Sequence, residues 1–293
     1  MQNILITGAS GFIGRNLAEH LGSRYGVSAP ASAELDLLDA AAVEKFVKNG
    51  GFDAVVHCAN KGGARNAKTE GIAEANLRMF QNVARCSPHF GKMIQIGSGA
   101  EYDKSRPLVR VRESEFGSRV PKDEYGRYKY ECSKYIEGAE GITCLRVFGC
   151  YGKYEDYSTR FVSNAICRSI FGLPVTIANR NVVFSYLYVD DLCAIVEHFI
   201  RHGGRHKFYN AVPDETADLL SIAGKVAEIS GNRLPIVVKN PGMGNEYSGD
   251  NSLLKKEIPS LRFTGMDEGV QKLHKWYEGR KGSLSRSRIT AEG

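Results

Sequence analysis

The chain opens with MQNILITGASGFIGRNL, and this stretch limits the available folds more than any other. Ile4-Leu5-Ile6 is short, largely β-branched and soon stopped by glycine, which reads as a buried strand. Gly8, Gly11 and Gly14 follow at regular spacing, and the apolar periodicity from Phe12 to Leu21 reads as a helix. A strand turning directly into a helix aims unpaired backbone N–H groups, and the positive end of the helix dipole, at whatever lies over the turn. A phosphate suits that position when no Cβ obstructs its approach, and glycine removes the obstruction. The turn therefore points to a dinucleotide resting on Gly8, Ser10, Gly11, Phe12, Ile13 and Gly14. The spacing is G-x-x-G-x-x-G rather than G-x-G-x-x-G, so a glycine-rich turn of any α/β protein is the competing explanation.

Downstream, strand-like and helix-like segments alternate. Gly26 to Ala29 is a weak strand and Ala40 to Val47 is helical in pattern. Phe52 to Ala59 is a nearly continuous apolar run, as in a parallel strand covered on both faces. A helix over 72–86, a strand over 92–97, a helix over 125–137 and a strand over 142–148 follow. This alternation predicts an α/β fold, a Rossmann-type doubly wound parallel sheet. Beyond Tyr151 the order breaks down, with helices expected over 159–171, 192–200, 219–229 and 267–277 and strands over 175–177, 185–189 and 234–239. The expected division is a dinucleotide-binding domain of residues 1–155 and 185–213, and a smaller discontinuous α/β substrate domain of 156–184 and 214–281. The run GSLSRSRITAEG at 282–293 is small, polar and aperiodic, and is expected to be a disordered tail.

Composition excludes more than it identifies. At 293 residues with 42% apolar and 25% charged residues, the chain reads as soluble and globular. It has no leader-like apolar segment and no run of membrane-spanning length, so a cytoplasmic location without membrane partners is expected. The net charge of +6 is scattered, without the basic cluster or aromatic platform of a nucleic-acid binder. Seven cysteines form no C-x-x-C pair, which argues for reduced thiols. Seven histidines lack ligand spacing, and His198 with His202 reads as one helix face, so no metal is expected.

Two places carry candidate chemistry. Ser98 follows the strand at 92–97, which puts its hydroxyl at the carboxyl edge of the sheet, where open α/β folds bind ligands. An ordinary β–α loop serine is the alternative. Tyr125 and Lys129 are four apart on a helix and share a face, where an ammonium favours the phenolate and brings tyrosine toward acid/base use. Tyr130 with Lys134 repeats the pattern and is a rival.

Taken together, several segments resemble the extended short-chain dehydrogenase/reductases, the NAD(P)-dependent nucleotide-sugar epimerases, dehydratases and reductases. They are Thr7–Gly14, Asp36-Leu37-Leu38-Asp39, Ser98-Gly99-Ala100-Glu101-Tyr102, Tyr125-Gly126-Arg127-Tyr128-Lys129, Leu145–Gly152 and Tyr188-Val189-Asp190-Asp191, in family order over roughly residues 1–200. The resemblance implies a catalytic Ser98–Tyr125–Lys129 triad. It also implies a cofactor site that adds Ser32, Asp36, Leu37, Ala59, Asn60, Lys61, Asn76 and Phe148 to the glycine turn. A substrate site of Ser98, Gly99, Ala100 and Arg160 is implied for a nucleotide-diphosphate sugar, as is a homodimer through the helices at 72–86 and 125–137.

Within the family, Glu34–Val43 and Cys58–Gly63 are similar to GDP-L-fucose synthase-like reductases of 4-keto-6-deoxy sugars. The departures narrow the expected reaction. Gly99 and Ala100 replace the Asp-Glu of dehydratases, and Ala100 also stands where the fucose synthase-like enzymes carry a proton-transferring cysteine. Their histidine aligns with Arg160, a poor base that suits a phosphate clamp or a solvated surface. Cys150 reads as a buried structural thiol, with approach to the sugar as the alternative. Phe184 replaces the basic residue many members use for the diphosphate, and Gly149 replaces a usual asparagine. No acid stands in Val27–Ser32 at the end of the second strand, Glu34 being read as part of the next connection, so NADP(H) is expected over NAD(H), which is possible. The expected activity is NADPH-dependent reduction of a C4 ketone without C3 or C5 epimerisation. An epimerase with tightly bound NAD and a non-catalytic NAD(P)-binding sensor are the alternatives.

Overall fold

The computed structural model describes residues 1–62 and 71–291 of the chain. Gly63, at the end of the Cys58–Gly63 run, lies outside the described residues. The first half contains β1 (Asn3–Thr7), α1 (Phe12–Leu21), β2 (Gly26–Ser28), α2 (Ala40–Gly50), β3 (Ala54–His57) and α3 (Ile72–Ala84). It continues with β4 (Lys92–Ser98), β5 (Leu108–Val111), α4 (Glu124–Gly138), β6 (Ile142–Val147) and β7 (Gly149–Tyr151). The second half begins α5 (Phe161–Ile170), β8 (Thr176–Ile177), β9 (Val183–Phe184), β10 (Tyr186–Tyr188), α6 (Val189–His202) and β11 (Phe208–Ala211). The rest is β12 (Ala217–Asp218), α7 (Leu219–Ser230), β13 (Val237–Val238), β14 (Tyr247–Gly249), α8 (Ser252–Glu257), α9 (Met266–Glu278) and α10 (Arg286–Thr290).

Six strands form one sheet in the order β11-β6-β4-β3-β1-β2, every pair parallel. The strands are apolar nearly throughout because both faces are covered. Ile4 and Ile6 enter one core with α1 and α6, while Leu5 enters the other with α2, α3 and α4. Ile94 and Ile96 against Met93, and Leu145 and Val147 against Cys144, divide in the same way. Alternation of side chains across the pleat thus builds a doubly wound fold from strands that look uniformly hydrophobic. The chain leaves β1 toward β2 on one side and returns to β3 on the other. A crevice therefore opens where the carboxyl ends of β1 and β3 diverge.

A third apolar core lies under α5, α7 and α9, built from residues such as Ile166, Val226, Val270 and Tyr277. Short strands from distant parts of the chain tie it to the sheet, in the order β12-β9-β14-β5. The strand expected over 234–239 contracts to Val237–Val238, just after Pro235, whose nitrogen has no hydrogen to donate to a ladder. The tail expected to be disordered is also corrected. Residues 286–290 are helical, and Ile289 is buried in the third core. Asn164 Nδ2 and the Arg168 guanidinium both donate to the Ile289 carbonyl at 3.2 Å, and Arg288 pairs with Asp156 at 3.3 Å. Leu284 packs against the same core, and two apolar residues in a polar run seat the segment when the Ile289 carbonyl finds donors.

Candidate active site

The glycine turn is built for close approach. Gly8 has a φ of +73°, and a Cβ there would come within 2.6 Å of the Ala59 backbone. A Cβ on Gly14 would lie 2.3 Å from the Gly8 carbonyl oxygen. Asp39, Asp123 and Asp218 cap α2, α4 and α7 with their carboxylates, whereas α1 starts on Gly11 with no side-chain cap. The first N–H groups of α1 are thus left for an anion at the crevice, and these residues fit the pyrophosphate of a dinucleotide. Ser10 is exposed at the turn, Phe12 begins the helix, and Ile13 packs against the core.

Beyond the end of β2, Ser32 and Asp36 are exposed, while Leu37 is buried among the apolar residues of α2 and α3. The sequence places Glu34 in the next connection; its Oε2 instead accepts the Ala31 N–H at 2.7 Å, in the same turn as Ser32. The loop after β3 is held from behind. Asn76 Oδ1 accepts the Lys61 N–H at 2.7 Å and its Nδ2 donates to the Lys61 carbonyl at 3.0 Å. One acceptor position and one donor of that amide hold the Lys61 backbone, so Asn76 shapes the loop after β3. Asn60 accepts a hydrogen bond from the Tyr128 hydroxyl and donates to the Gly62 carbonyl.

Ser98, Tyr125 and Lys129 come together from two elements. Ser98 ends β4 and caps the 3-10 turn Gly99–Tyr102: its Oγ accepts the Ala100 N–H at 3.1 Å. Its own N–H donates to Glu101 Oε1 at 2.9 Å. Glu101 is in turn fixed by Ser133 Oγ at 2.6 Å and Arg146 Nε at 2.7 Å, all buried. Asp123 starts α4 by accepting the Gly126 N–H, and Gly126 lies against the Ala100 carbonyl, which seats the helix on the Ser98 turn. Tyr125 is 42% exposed and stands edge-on to Tyr128, with ring centroids 5.4 Å apart. Lys129 is only 6% exposed, and its Nζ donates to the Ile96 carbonyl at 2.6 Å, two residues before Ser98. Burial works against the Lys129 charge, but the Tyr128 and Tyr125 hydroxyls beside it hold its pKa above the ordinary lysine value. The rival pair separates: Tyr130 is buried against Phe116 at 4.8 Å, and Lys134 pairs with Glu137 at the surface.

Phe148 follows β6 and packs its ring against Gly99, with Tyr102 at 6.0 Å and Tyr247 at 4.9 Å. Gly99 and Ala100 are both buried. Arg160 heads α5, exposed, and its charge is felt by Cys150 and Glu155. Burial pushes the Cys150 thiol well up, and Glu155 adds to this. Glu155 is buried and accepts a hydrogen bond from Ser163; burial raises its carboxyl to about 8 against the pull of Ser163 and Arg160.

Two residues of these neighbourhoods had no sequence signal. Glu155 sits in a charged stretch, Lys153-Tyr154-Glu155-Asp156, that reads as solvated. Tyr247 lies beyond residue 200, where family likeness fades, yet its ring packs at 4.9 Å against Phe148, which lies against Gly99 beside Ser98. Among the described residues no group of three or more His, Cys, Asp or Glu side chains is placed to hold a metal ion, and no helix is long and apolar enough to cross a membrane.

Comparison with known proteins agrees with the fold. Over 171 residues the chain is 29% identical to methionine adenosyltransferase 2 subunit beta of Xenopus tropicalis, covering 54% of this chain and 50% of that one. The chain thus spans about half the length of the curated relatives it matches there. The UDP-glucose 4-epimerase of Thermotoga maritima, solved with UDP-glucose, superposes with a TM-score of 0.83 at 22% identity, covering 97% of this chain and 100% of that one. A GDP-mannoheptose C4 reductase of Campylobacter jejuni, solved with NADP bound, gives 0.80 at 20% identity over 94% and 98% of the two chains. The sequence profile of the NAD dependent epimerase/dehydratase family matches residues 4–211, from β1 through β11. With the glycine turn, the six-stranded parallel sheet and this match in agreement, the chain belongs to the NAD dependent epimerase/dehydratase family.

Proposed function

We propose that the protein reduces the C4 ketone of a nucleotide-linked 4-keto-6-deoxy sugar with NADPH and leaves C3 and C5 uninverted. What supports this reading is that the Lys129 ammonium donates to the carbonyl of Ile96, two residues before Ser98, with Tyr125 near enough on the same helix to act on its charge. Bound over the glycine turn, a nicotinamide dinucleotide supplies the hydride. Tyr125 gives its phenolic proton to the C4 oxygen as that oxygen gains charge. Ser98 donates a hydrogen bond to the same oxygen, and its backbone tie to Glu101 keeps it in place. Lys129 uses one of its three N–H donors on Ile96 and keeps the others for the cofactor ribose. Gly99 and Ala100 contribute no ionisable group to this wall, which supports reduction over dehydration. The test is a panel of 4-keto-6-deoxy nucleotide sugars: one or more should consume NADPH in proportion to C4 alcohol formed.

The structural likenesses to an epimerase solved with UDP-glucose and to a C4 reductase solved with NADP are compatible with a nucleotide-sugar substrate. A second reading, compatible with the likeness to a methionine adenosyltransferase subunit, is a non-catalytic NAD(P)-binding sensor. That reading expects NADPH to bind and no substrate on the panel to oxidise it.

Cofactor preference is expected to be real but small. Ser10 and Ser32 are exposed donors for a 2′-phosphate, whereas the Glu34 carboxylate beside Ser32 opposes it. In steady-state kinetics kcat/KM should be higher with NADPH than with NADH, and Glu34→Gln should widen the ratio. A clear NADH preference in the unmodified protein contradicts the assignment.

A further inference from the structure

Glu101 is an acid with almost no access to water. It is 1% exposed, and Arg146 of β6 is fully buried beside it, with Nε 2.7 Å from Glu101 Oε2. The rings of Tyr102, Phe116 and Phe208 stand around the guanidinium, with centroids 5.0, 4.4 and 4.4 Å from its carbon. Taking two charges out of water costs so much that such a pair often stabilises a fold no more than apolar side chains of similar size. Stability therefore gives little reason for an acid here, and its contacts supply another. Among the described residues Glu101 accepts from three elements. Oε1 takes the Ser98 N–H at the end of β4, at 2.9 Å. Oε2 takes Ser133 Oγ of α4 at 2.6 Å as well as Arg146. Ser133 follows Lys129 by four residues and Tyr125 by eight, so the three line one side of α4.

We propose that Glu101 is a positioning residue for the reaction: its carboxylate joins the Ser98 turn to the side of α4 that carries Tyr125 and Lys129, and so sets where the Ser98 hydroxyl stands relative to the proton donor. This rests on the reading of Ser98, Tyr125 and Lys129 given above. The helix has a second tie to β4, Lys129 on the Ile96 carbonyl, so α4 keeps its seat without Glu101 and the Ser98 turn is the part set free. An amide cannot replace the acid. The Ser133 hydroxyl can reverse and accept, but the Ser98 N–H and the Arg146 Nε–H only donate. Glutamine has one oxygen for both and turns an N–H toward whichever is left.

The test has three arms. In kinetics, Glu101→Gln should lower kcat about 10- to 100-fold, the worth of a hydrogen bond to a charged group. KM for the sugar and Kd for NADPH should stay within about twofold, as for an interaction used only in the transition state. Ser98→Ala should lose about 100-fold, as for removal of one oxyanion donor. Adding Glu101→Gln to Ser98→Ala should cost no more than about twofold, because Glu101 acts through Ser98. The full loss in that background overturns the proposal in favour of an independent role. The second arm exchanges the pair for apolar side chains, Glu101→Leu with Arg146→Met. This double variant should keep a Tm at or above that of the unmodified protein and still show the low kcat of Glu101→Gln. Recovery of kcat along with stability overturns the proposal and makes the pair merely structural. In the third arm, crystal structures of the NADPH complexes of the unmodified protein and of Glu101→Gln should differ in the separation of the Ser98 and Tyr125 hydroxyls. Superposable hydroxyls overturn the proposal. If the unmodified protein reduces no 4-keto sugar, the functional reading fails, while the crystallographic arm still decides whether Glu101 holds Ser98 against α4.

Discussion

Tyr125→Phe is expected to lower turnover at least about 100-fold while NADPH binding survives, and Tyr130→Phe is expected to be nearly silent. The first loss follows from removing the group that hands a proton to the C4 oxygen, for which about 100-fold is the low end of general acid catalysis. The contrast follows from position. Tyr125 is half-exposed on the face of α4 that meets Ser98, whereas Tyr130, five residues on, is packed against Phe116 on another face. Five residues rotate a helical side chain by about 140° from the starting direction, so both hydroxyls cannot serve one site. Fluorescence titration with NADPH separates binding from chemistry. Equal losses in the two variants would remove Tyr125 from its role.

The second large effect concerns stability. Glu155 has a carboxyl raised by burial from 4.5 to about 8, so the folded chain keeps a proton there that the unfolded chain has already released. Between those values unfolding sets a proton free, and stability falls as pH rises. Every tenfold difference in proton affinity between the folded and unfolded chain is worth about 1.36 kcal/mol, which makes the effect at pH 8 on the order of a few kcal/mol. Glu155→Gln is a neutral mimic of the protonated acid. It should match the unmodified protein near pH 5 and become progressively more stable toward pH 8. Each kcal/mol should appear as roughly 2–4 °C in Tm at domain sizes of this order. A Tm difference between the two proteins that is the same at both pH values would show that Glu155 is ionised in the fold.

What could be read from the residues divides by range. Elements whose signal is local were legible: α1 runs over the Phe12–Leu21 segment that its periodicity predicts, and β1 follows from three apolar residues and a glycine. The site-forming segments were legible for the same reason, since Ser98 and the Tyr125–Lys129 pair lie on elements set by their own sequence. The strands β5, β9, β12 and β14 were not. Each has two to four residues and is stable only through partners up to about 140 positions away, such as Leu108 beside Tyr247. Tyr247 was invisible with them, because nothing in Glu246-Tyr247-Ser248 announces the company of Phe148 and Phe184. Glu155 and Ile289 illustrate one further limit. A polar local context predicts exposure, and only tertiary packing decides that one carboxylate and one isoleucine go inside. Glu34 went the other way, folding back on its own turn where the sequence placed it in the next connection.

Glu155 also bears on the reaction, because a carboxyl that titrates near neutrality beside Cys150 and Arg160 is the kind of group that epimerisation requires. Its hydrogen bond with Ser163 and its burial at the head of α5 support a structural acid instead. The deciding measurement is incubation of the protein with a 4-keto-6-deoxy nucleotide sugar in D₂O, first without NADPH and then with it. Reduction alone predicts no enzyme-dependent deuterium at C3 or C5 in the first stage and a C4 alcohol in the second. Deuterium at either carbon before NADPH is added would contradict it.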